Sequence, residues 1–186
     1  MYNTITTKAT LSLDKYIRIY RDVDKFIGFC RQCNSYAHCW SCPPFDFDVD
    51  EYMSNYDTVT IIGTKINPYK SFYKCEDRDR NIKLESEIIS SERRQLDSYL
   101  LDLERANPNS RAFFAGVCHC CAERECTRKR SLQCRHPEDM RYSLEAFGFD
   151  IVRTASELLG IDLKRSNARI LHLSERTIYK TIKECD

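Results

Sequence analysis

Long apolar runs are missing from this chain. No stretch approaches the roughly 20 consecutive apolar residues that a helix needs to cross a bilayer. Residues 1–8 contain neither an apolar segment nor a small-residue cleavage site, so they are not typical of a secretory signal peptide. These absences predict a cytoplasmic protein with no membrane-spanning segment.

An excess of charge of one sign is missing as well. The 186 residues include 29 Lys and Arg against 28 Asp and Glu, which leaves a net charge of +1. Such a chain has no general electrostatic attraction for nucleic acid or for an anionic membrane. The patterns G-x-G-x-x-G and G-x4-G-K-[ST] are also absent, which argues against a reductase that binds a nucleotide cofactor through such loops.

Cysteine, in contrast, is abundant, with 11 residues. Thiols stay reduced in the cytosol, and the number is odd, so a disulfide framework is disfavoured. Clustered cytosolic cysteines indicate metal binding or redox chemistry instead. Cys75 and Cys185 stand apart from the others and are given no role, because an isolated cysteine is often a small buried hydrophobe.

The first group of cysteines has the spacing Cys30-x2-Cys33-x5-Cys39-x2-Cys42 and is followed by two prolines. The prolines prevent a helix or a strand ladder from continuing, so residues 30–45 are predicted to form a loop. Four thiolates within 13 residues can converge on one metal site. Thiolate is a soft ligand that suits zinc, copper(I) and iron–sulfur clusters.

The spacing of this group favours iron–sulfur over zinc. A zinc ribbon usually separates its two C-x2-C pairs by about 15–20 residues, which leaves room for a hairpin. The five residues found here are too few. Proline directly after the last cysteine is typical of bacterial ferredoxin segments, although their usual run is C-x2-C-x2-C-x3-C-P. We therefore expect a [4Fe-4S]-type cluster, with zinc as the alternative and free redox thiols as a third interpretation.

A second group comprises Cys118, Cys121, Cys126 and Cys134, in a loop predicted over residues 118–137. Cys120 is treated as a spare, because adjacent cysteines rarely ligate together whereas C-x2-C spacing does so easily. Segments of two-cluster ferredoxins share ligands, so the eight cysteines are predicted to hold one or two clusters, and their division stays open.

Three histidines, His38, His119 and His136, each lie beside a cysteine. Any of them would complete a Cys3His zinc site. The preferred interpretation is that they are polar loop residues or hydrogen-bond to thiolates.

The apolar pattern predicts an α/β fold in a single domain of residues 1–186. β-Branched residues at 59–66 indicate a buried strand, and apolar residues at helical spacing indicate a long helix over residues 77–106. We expect a small sheet with the long helix and further helices packed on it, and the two cysteine-rich loops at one end. Further strands are predicted within residues 11–20 and at 112–116 and 168–173, and further helices at 22–28, 143–147, 150–159 and from Ser174.

Both cysteine segments carry motifs that resemble a known family. The first contains C-R-Q-C and W-S-C-P-P-F, and the second contains C-R-H-P followed by R-Y-S-L-E-A-F-G-F-D-I-V. These strings, in this order, resemble a family of bacterial and archaeal predicted metal-binding proteins of unknown function. The family string usually has proline after the arginine, where this chain has Tyr142. The resemblance implies metal binding and no particular reaction.

Two residues outside the cysteines, Arg141 and Glu145, are candidates for a shell around the ligands that hydrogen-bonds the ligand loop or orients a partner group. A purely structural interpretation stands beside this one, in which Ser143 caps a helix and Glu145 suits its first turn. A general acid/base pair of Glu145 and Asp150 is a further alternative.

Basic residues surround the second cysteine group, but acidic residues interleave with them. The mixture favours a docking face for an acidic redox partner over binding of nucleic acid. The basic residues are Arg124, Arg128, Lys129, Arg130, Arg135 and Arg141.

Three functions remain. The first is a cytosolic iron–sulfur protein that transfers electrons to a protein partner. The second is a zinc-stabilised module that binds protein or nucleic acid. The third is a cluster-dependent enzyme with an open iron site or reactive thiols. The sequence contains no indication of the oligomeric state.

Overall fold

A computed structural model describes residues 2–68, 78–114, 116–121 and 124–161. It confirms the predicted α/β class, with one small sheet and one long helix. None of the described helices combines the length and the apolar character that crossing a membrane requires. The elements are β1 (Tyr2–Ser12), α1 (Leu13–Tyr20), α2 (Val23–Arg31), α3 (Val49–Met53), β2 (Thr58–Pro68), α4 (Arg78–Ala106) and α5 (Ile151–Leu159), with 3-10 helices at Thr127–Arg130 and Glu145–Phe147.

The sheet of the described residues consists of β1 and β2, which pair antiparallel with Tyr2 opposite Pro68 and Ser12 opposite Thr58. The strand predicted at residues 59–66 is confirmed and extends slightly beyond those bounds. Its apolar side chains Val59, Ile61, Ile62 and Ile66 are buried, whereas β1 is mostly exposed. The apolar character of β2 therefore anchors the sheet in the core.

Two predicted strands are wrong. Residues 13–20 form α1, because Ser12 accepts a hydrogen bond from the backbone N–H of Lys15 and caps a helix whose buried residues are Leu13, Tyr16 and Tyr20. Residues 112–114 are buried but lie outside any strand, and Phe114 donates one backbone hydrogen bond to Tyr142. The strand predicted at 168–173 and the helix from Ser174 lie outside the described residues.

Most of the predicted helices that fall within the described residues are confirmed. The long helix is confirmed as α4 and ends at Ala106 as expected. Asp22 caps α2, which continues past the predicted end at Gly28. Asp150 caps α5, which ends at Gly160 as predicted. Residues 145–147 form only a single 3-10 turn.

An aromatic core lies between the sheet and the helices and fixes the 3-10 turn near the cysteine loops. Tyr16 stacks on Phe149 at a centroid distance of 4.7 Å, and its hydroxyl is 3.0 Å from that of Thr154. Phe147 packs edge-on against Phe113 at 4.8 Å. The core therefore holds both ends of the segment 145–149 in place.

The first helix of the cysteine region docks on that segment through a glycine. Gly148 has a φ of 92°, and a Cβ atom there would lie 2.9 Å from the Cα of Val23. The backbone N–H of Asp22 donates to the Gly148 carbonyl at 2.8 Å. Only a residue without a side chain permits this approach, which brings α2 against the turn that carries Glu145.

Candidate metal centre

The first cysteine loop is a succession of tight turns that begins in the last turn of α2. Cys33 donates a backbone hydrogen bond to the Cys30 carbonyl at 3.0 Å, and Cys42 donates one to Cys39 at 3.0 Å. Ala37, with a φ of 58°, donates to the Pro43 carbonyl at 2.8 Å and closes the loop. The predicted loop therefore brings its cysteines together without a hairpin.

Three cysteines of the first group line one cavity of about 270 Å³: Cys30, Cys33 and Cys42. Most of the remaining wall is apolar. Among the described residues that line the cavity, Glu145 is the one acidic residue. The other lining residues are Phe29, Tyr36, Pro43, Gly116, Val117, Ser143 and Ala146.

The fourth cysteine of the group, Cys39, is not among the described residues that line this cavity, but its thiol contacts that of Cys42, which does line it. It is 5% exposed, and its Sγ lies 3.3 Å from the hydroxyl of Ser41. A hydrogen bond from the Cys42 thiol lowers the pKa of Cys39, and the same contact raises that of Cys42. The backbone N–H of Cys118 also hydrogen-bonds to Cys39. Cys39 thus lies between the cavity and the second loop.

The second group is also drawn together. Negative charge on Cys118, Cys126 and Cys121 contributes to a raised pKa at Cys134, although burial is the larger cause. The backbone N–H of His136 lies 3.4 Å from the Cys134 sulfur, and Arg135 lies 3.6 Å from the Cys121 sulfur. These donors supply partial or full positive charge next to thiolates.

Cys120, treated as a spare, contacts Cys118. Its backbone N–H lies 3.5 Å from the Cys118 sulfur. A hydrogen bond between the two thiols raises the pKa of Cys118 and lowers that of Cys120. The sulfurs of Cys118 and Cys120 are therefore neighbours, and the choice of ligands in the second loop stays a prediction.

Arg128 joins the two loops. Its guanidinium donates to the carbonyl of Cys39 at 2.8 Å and also to the carbonyls of Cys42 and Pro44. The same group lies 5.2 Å from the ring centroid of Trp40. Trp40 in turn donates its indole N–H to the Leu132 carbonyl at 3.2 Å.

Ser41 forms a second link and is completely buried. Its hydroxyl accepts the backbone N–H of Cys118 at 2.9 Å and lies 3.3 Å from the Cys39 sulfur and 3.7 Å from that of Cys42. Sequence reasoning assigned no role to Ser41, and it placed Arg128 only in a general basic run. Ser41 was visible within the string W-S-C-P-P, but its partner 77 residues away was not.

The histidines have other partners. The Nδ1 atom of His38 lies 3.1 Å from the Asn34 carbonyl, and the Nε2 atom of His119 lies 3.3 Å from the carboxylate of Asp97. Within the described ranges, no three His, Cys, Asp or Glu side chains are arranged as ligands of a single metal ion.

Arg141 and Glu145 occupy different environments. Arg141 is 6% exposed and forms a two-point ion pair with Glu104 of α4, at 2.6 and 2.8 Å. It also donates to the carbonyls of Glu138 and Met140, and so attaches the segment after Cys134 to the long helix. Glu145 lies in the wall of the cavity, and its Oε2 atom is buried without a hydrogen-bond partner in the part of the chain that the structure describes.

Asp97 was also missed by sequence reasoning. Burial raises its pKa to about 6, although Arg93 and His119 oppose the shift. Its side chain is 6% exposed and lies 3.5 Å from the Arg93 guanidinium. It connects α4 to the second cysteine loop through His119. Its position among apolar residues of a long amphipathic helix was the only available signal.

The family comparison covers both cysteine loops. A family model described as "Predicted metal-binding protein (DUF2284)" matches residues 17–174, which is most of the chain. Neither a curated protein nor a solved structure matches this chain. The resemblance inferred from the motif strings is therefore confirmed, and the chain belongs to the DUF2284 family of predicted metal-binding proteins.

Proposed function

We propose that this protein is a cytosolic iron–sulfur protein that transfers electrons to a protein partner. The observation that carries the proposal is the cavity of about 270 Å³, which is lined by Cys30, Cys33 and Cys42 and is otherwise mainly apolar. Soft thiolates around such a space are the donor set that iron–sulfur clusters use.

The size of the cavity favours a cluster over a single zinc ion. Four thiolates at about 2.3 Å from one zinc leave no space between them. The volume of this cavity is several times the roughly 30 Å³ that one water molecule occupies in the liquid. It therefore fits a polyatomic group whose irons are bound by separate cysteines.

The residues around the cavity suit a redox role. When bound, a cluster supplies reversible uptake and release of an electron, and apolar walls tune its potential by limiting water. Arg128 and Arg135 place positive charge beside the ligand loops and offset the negative charge of the thiolates. The second group, Cys118, Cys121, Cys126 and Cys134, is a candidate set for a second cluster, with Cys39 between the two.

A partner can approach the cavity from its edge. Cys33 is exposed, and Phe29 on the cavity wall is 57% exposed. An exposed aromatic ring beside a ligand suits a small transient interface. Lys129 and Arg130 are exposed on the second loop and favour an acidic partner.

Reconstitution with iron and sulfide under anaerobic conditions tests this proposal. We expect a brown protein whose broad visible absorption bleaches with dithionite. Cys42→Ser should lose most of that absorption, whereas Cys75→Ser, outside both cysteine loops, should keep it. A colourless protein with stoichiometric zinc would contradict the proposal and support the zinc-stabilised module. Unchanged iron content in Cys42→Ser would remove Cys42 from the ligand set.

A further inference from the structure

The cavity is lined by three cysteines and by a carboxylate whose Oε2 atom has no hydrogen-bond partner among the described residues. The Oε2 atom of Glu145 is buried in the cavity wall, and no described group donates a hydrogen bond to it. A buried carboxylate oxygen without a partner is costly, because it has lost its water and gained nothing in exchange. Such an atom is completed by a water, a cation or another ligand in the cavity.

The backbone around Glu145 leaves the side chain little freedom to turn away. Its neighbours Leu144 and Ala146 are buried at 0% and 3% exposure. The hydroxyl of Ser143 accepts the backbone N–H of Ala146 at 3.3 Å, and Arg21 donates its Nε–H to the Phe147 carbonyl at 2.8 Å. A turn that is packed and hydrogen-bonded on both sides presents Glu145 to the cavity.

Cys30 and Glu145 line the same cavity, Cys30 from α2 and Glu145 from the 3-10 turn that α2 contacts. Docking of α2 on the turn at Gly148 produces this closeness. Two groups that repel each other as anions are brought together by the fold, which is the usual arrangement around a shared cation.

We propose that Glu145 is the fourth protein ligand of the cluster held by Cys30, Cys33 and Cys42, and that it binds the iron to which no cysteine of the cavity is assigned. This inference rests on the proposed iron–sulfur function. Side chains other than cysteine are known ligands of cluster irons, and carboxylates are known ligands of iron. Cys39 is not given this position, because it is absent from the described residues that line the cavity, although its sulfur contacts that of Cys42.

The chemical consequence is one distinct iron. A carboxylate is a harder ligand than thiolate and holds iron in a sulfur-rich site less firmly. This iron is therefore the point at which the cluster loses metal, and at which a small anionic or thiol ligand enters from the cavity.

Isotope labelling tests the inference on the wild-type protein. The protein is labelled with glutamate that carries ¹³C in the side-chain carboxyl, reconstituted anaerobically, reduced, and examined by electron–nuclear double resonance. We expect a ¹³C hyperfine coupling to the cluster. The coupling should vanish in Glu145→Gln and persist in Glu51→Gln, whose exposed glutamate lies in the first turn of the short helix α3.

Controlled oxidation supplies a second readout. Ferricyanide takes one electron from a [4Fe-4S]²⁺ cluster, and the iron without cysteine leaves as Fe²⁺, so that [3Fe-4S]⁺ remains. We expect the wild type to give the corresponding paramagnetic signal with loss of one iron. Glu145→Cys, which supplies a fourth thiolate, should keep four irons under the same treatment.

The outcomes separate the two proposals. A wild-type cluster without ¹³C coupling would overturn the assignment of Glu145 and leave the iron–sulfur function standing. The same conclusion would follow if Glu145→Gln and Glu51→Gln matched the wild type in both readouts. Failure of the wild type to take up any cluster would overturn both. If Glu145→Gln does not fold, the wild-type coupling decides, because Glu145 is the only glutamate among the described residues that line the cavity.

Discussion

The hydroxyl of Ser41 accepts the backbone N–H of Cys118 at 2.9 Å and so joins two cysteine loops that are 77 residues apart in the sequence. The same hydroxyl has the sulfurs of Cys39 and Cys42 as neighbours, at 3.3 and 3.7 Å. One small buried side chain therefore touches three of the proposed ligand residues. The loops are not independent sites, and a change at this contact affects both.

Replacement of Ser41 by alanine should destabilise the protein. The Cys118 N–H would remain without its partner in a buried position, which costs about 1–3 kcal/mol. Chemical denaturation of the reconstituted protein should show this loss in the free energy of unfolding, together with faster release of iron to a chelator. Ser54→Ala is the control, because Ser54 is exposed and its hydroxyl donates to the nearby Glu51 carbonyl of α3. Equal stability of the two variants would contradict a linking role for Ser41.

Arg128 should hold the loops together through its geometry and not through charge alone. A guanidinium reaches several carbonyls and stacks on an indole, whereas an ammonium does neither in the same way. We expect Arg128→Lys to lose most of the stability that Arg128→Ala loses, about 2–3 kcal/mol. Trp40 is the only tryptophan, so its fluorescence emission reports directly on the contact.

The matched control for Arg128 is Arg130→Ala, which removes an exposed positive charge from the same 3-10 turn. Its stability and Trp40 emission should stay close to the wild type. If Arg128→Lys also behaves as the wild type, charge is sufficient and the carbonyl contacts are dispensable.

Two glycines near the first loop should respond in opposite ways to alanine. Gly148→Ala places a Cβ 2.9 Å from the Val23 backbone at a φ of 92°, so the protein should lose about 1–3 kcal/mol. Gly28→Ala meets no atom within 4 Å inside α2 and should gain about 0.5–1 kcal/mol from helix propensity. Thermal unfolding of both variants checks the signs. If Gly148→Ala unfolds at the wild-type temperature, α2 can dock without this close approach.

Features that depend on contacts between residues close together in the sequence could be predicted, whereas features that depend on distant contacts could not. Asp150 and Gly160 bound a helix by local capping, so both ends of α5 were predicted correctly. The segment around Tyr16 was wrongly predicted as a strand because its neighbours are β-branched. It forms α1 because Leu13, Tyr16 and Tyr20, at helical spacing, are all buried in the core.

In the candidate site, too, the local features could be predicted and the long-range contacts could not. The spacing of the cysteines located both loops, because it depends only on residues close together in the sequence. It grouped Cys39 with the other three cysteines because all four lie within 13 residues, and that grouping stays a prediction; it had no access to the contact between Cys39 and the backbone of Cys118. Arg128 and Ser41 act through partners in the other loop, and no local pattern encodes such pairs.

Asp97 should make stability fall as the pH rises. Its pKa is about 6 in the folded protein against 3.8 in the reference state, so the folded state binds the proton more tightly. Between about pH 4 and pH 6 the unfolded state therefore carries fewer protons at this site, and the free energy of unfolding decreases as the pH increases. A difference of about two pKa units corresponds to roughly 3 kcal/mol.

Asp97→Asn tests that sign, because it keeps the shape and removes the titration. The wild type should lose stability relative to this variant as the pH rises from about 4 to 6, and the contributions of the thiols cancel in the comparison at each pH. Asp102→Asn, an exposed aspartate on the same helix, should show no such trend. A constant difference across the range would mean that Asp97 titrates normally.

Cys30→Ser and Cys39→Ser should have different effects if the cavity holds its own cluster. Cys30 lines the cavity, so its loss removes a ligand and should abolish that cluster's electron paramagnetic resonance signal. Cys39 does not line the cavity and contacts Ser41 and the Cys118 backbone as well as Cys42, so its loss should leave that signal in place. Iron and sulfide content per chain, with the spectrum of each variant, measures both effects. Identical loss in the two variants would show that all four cysteines of the first loop converge on one centre, as their spacing alone predicts.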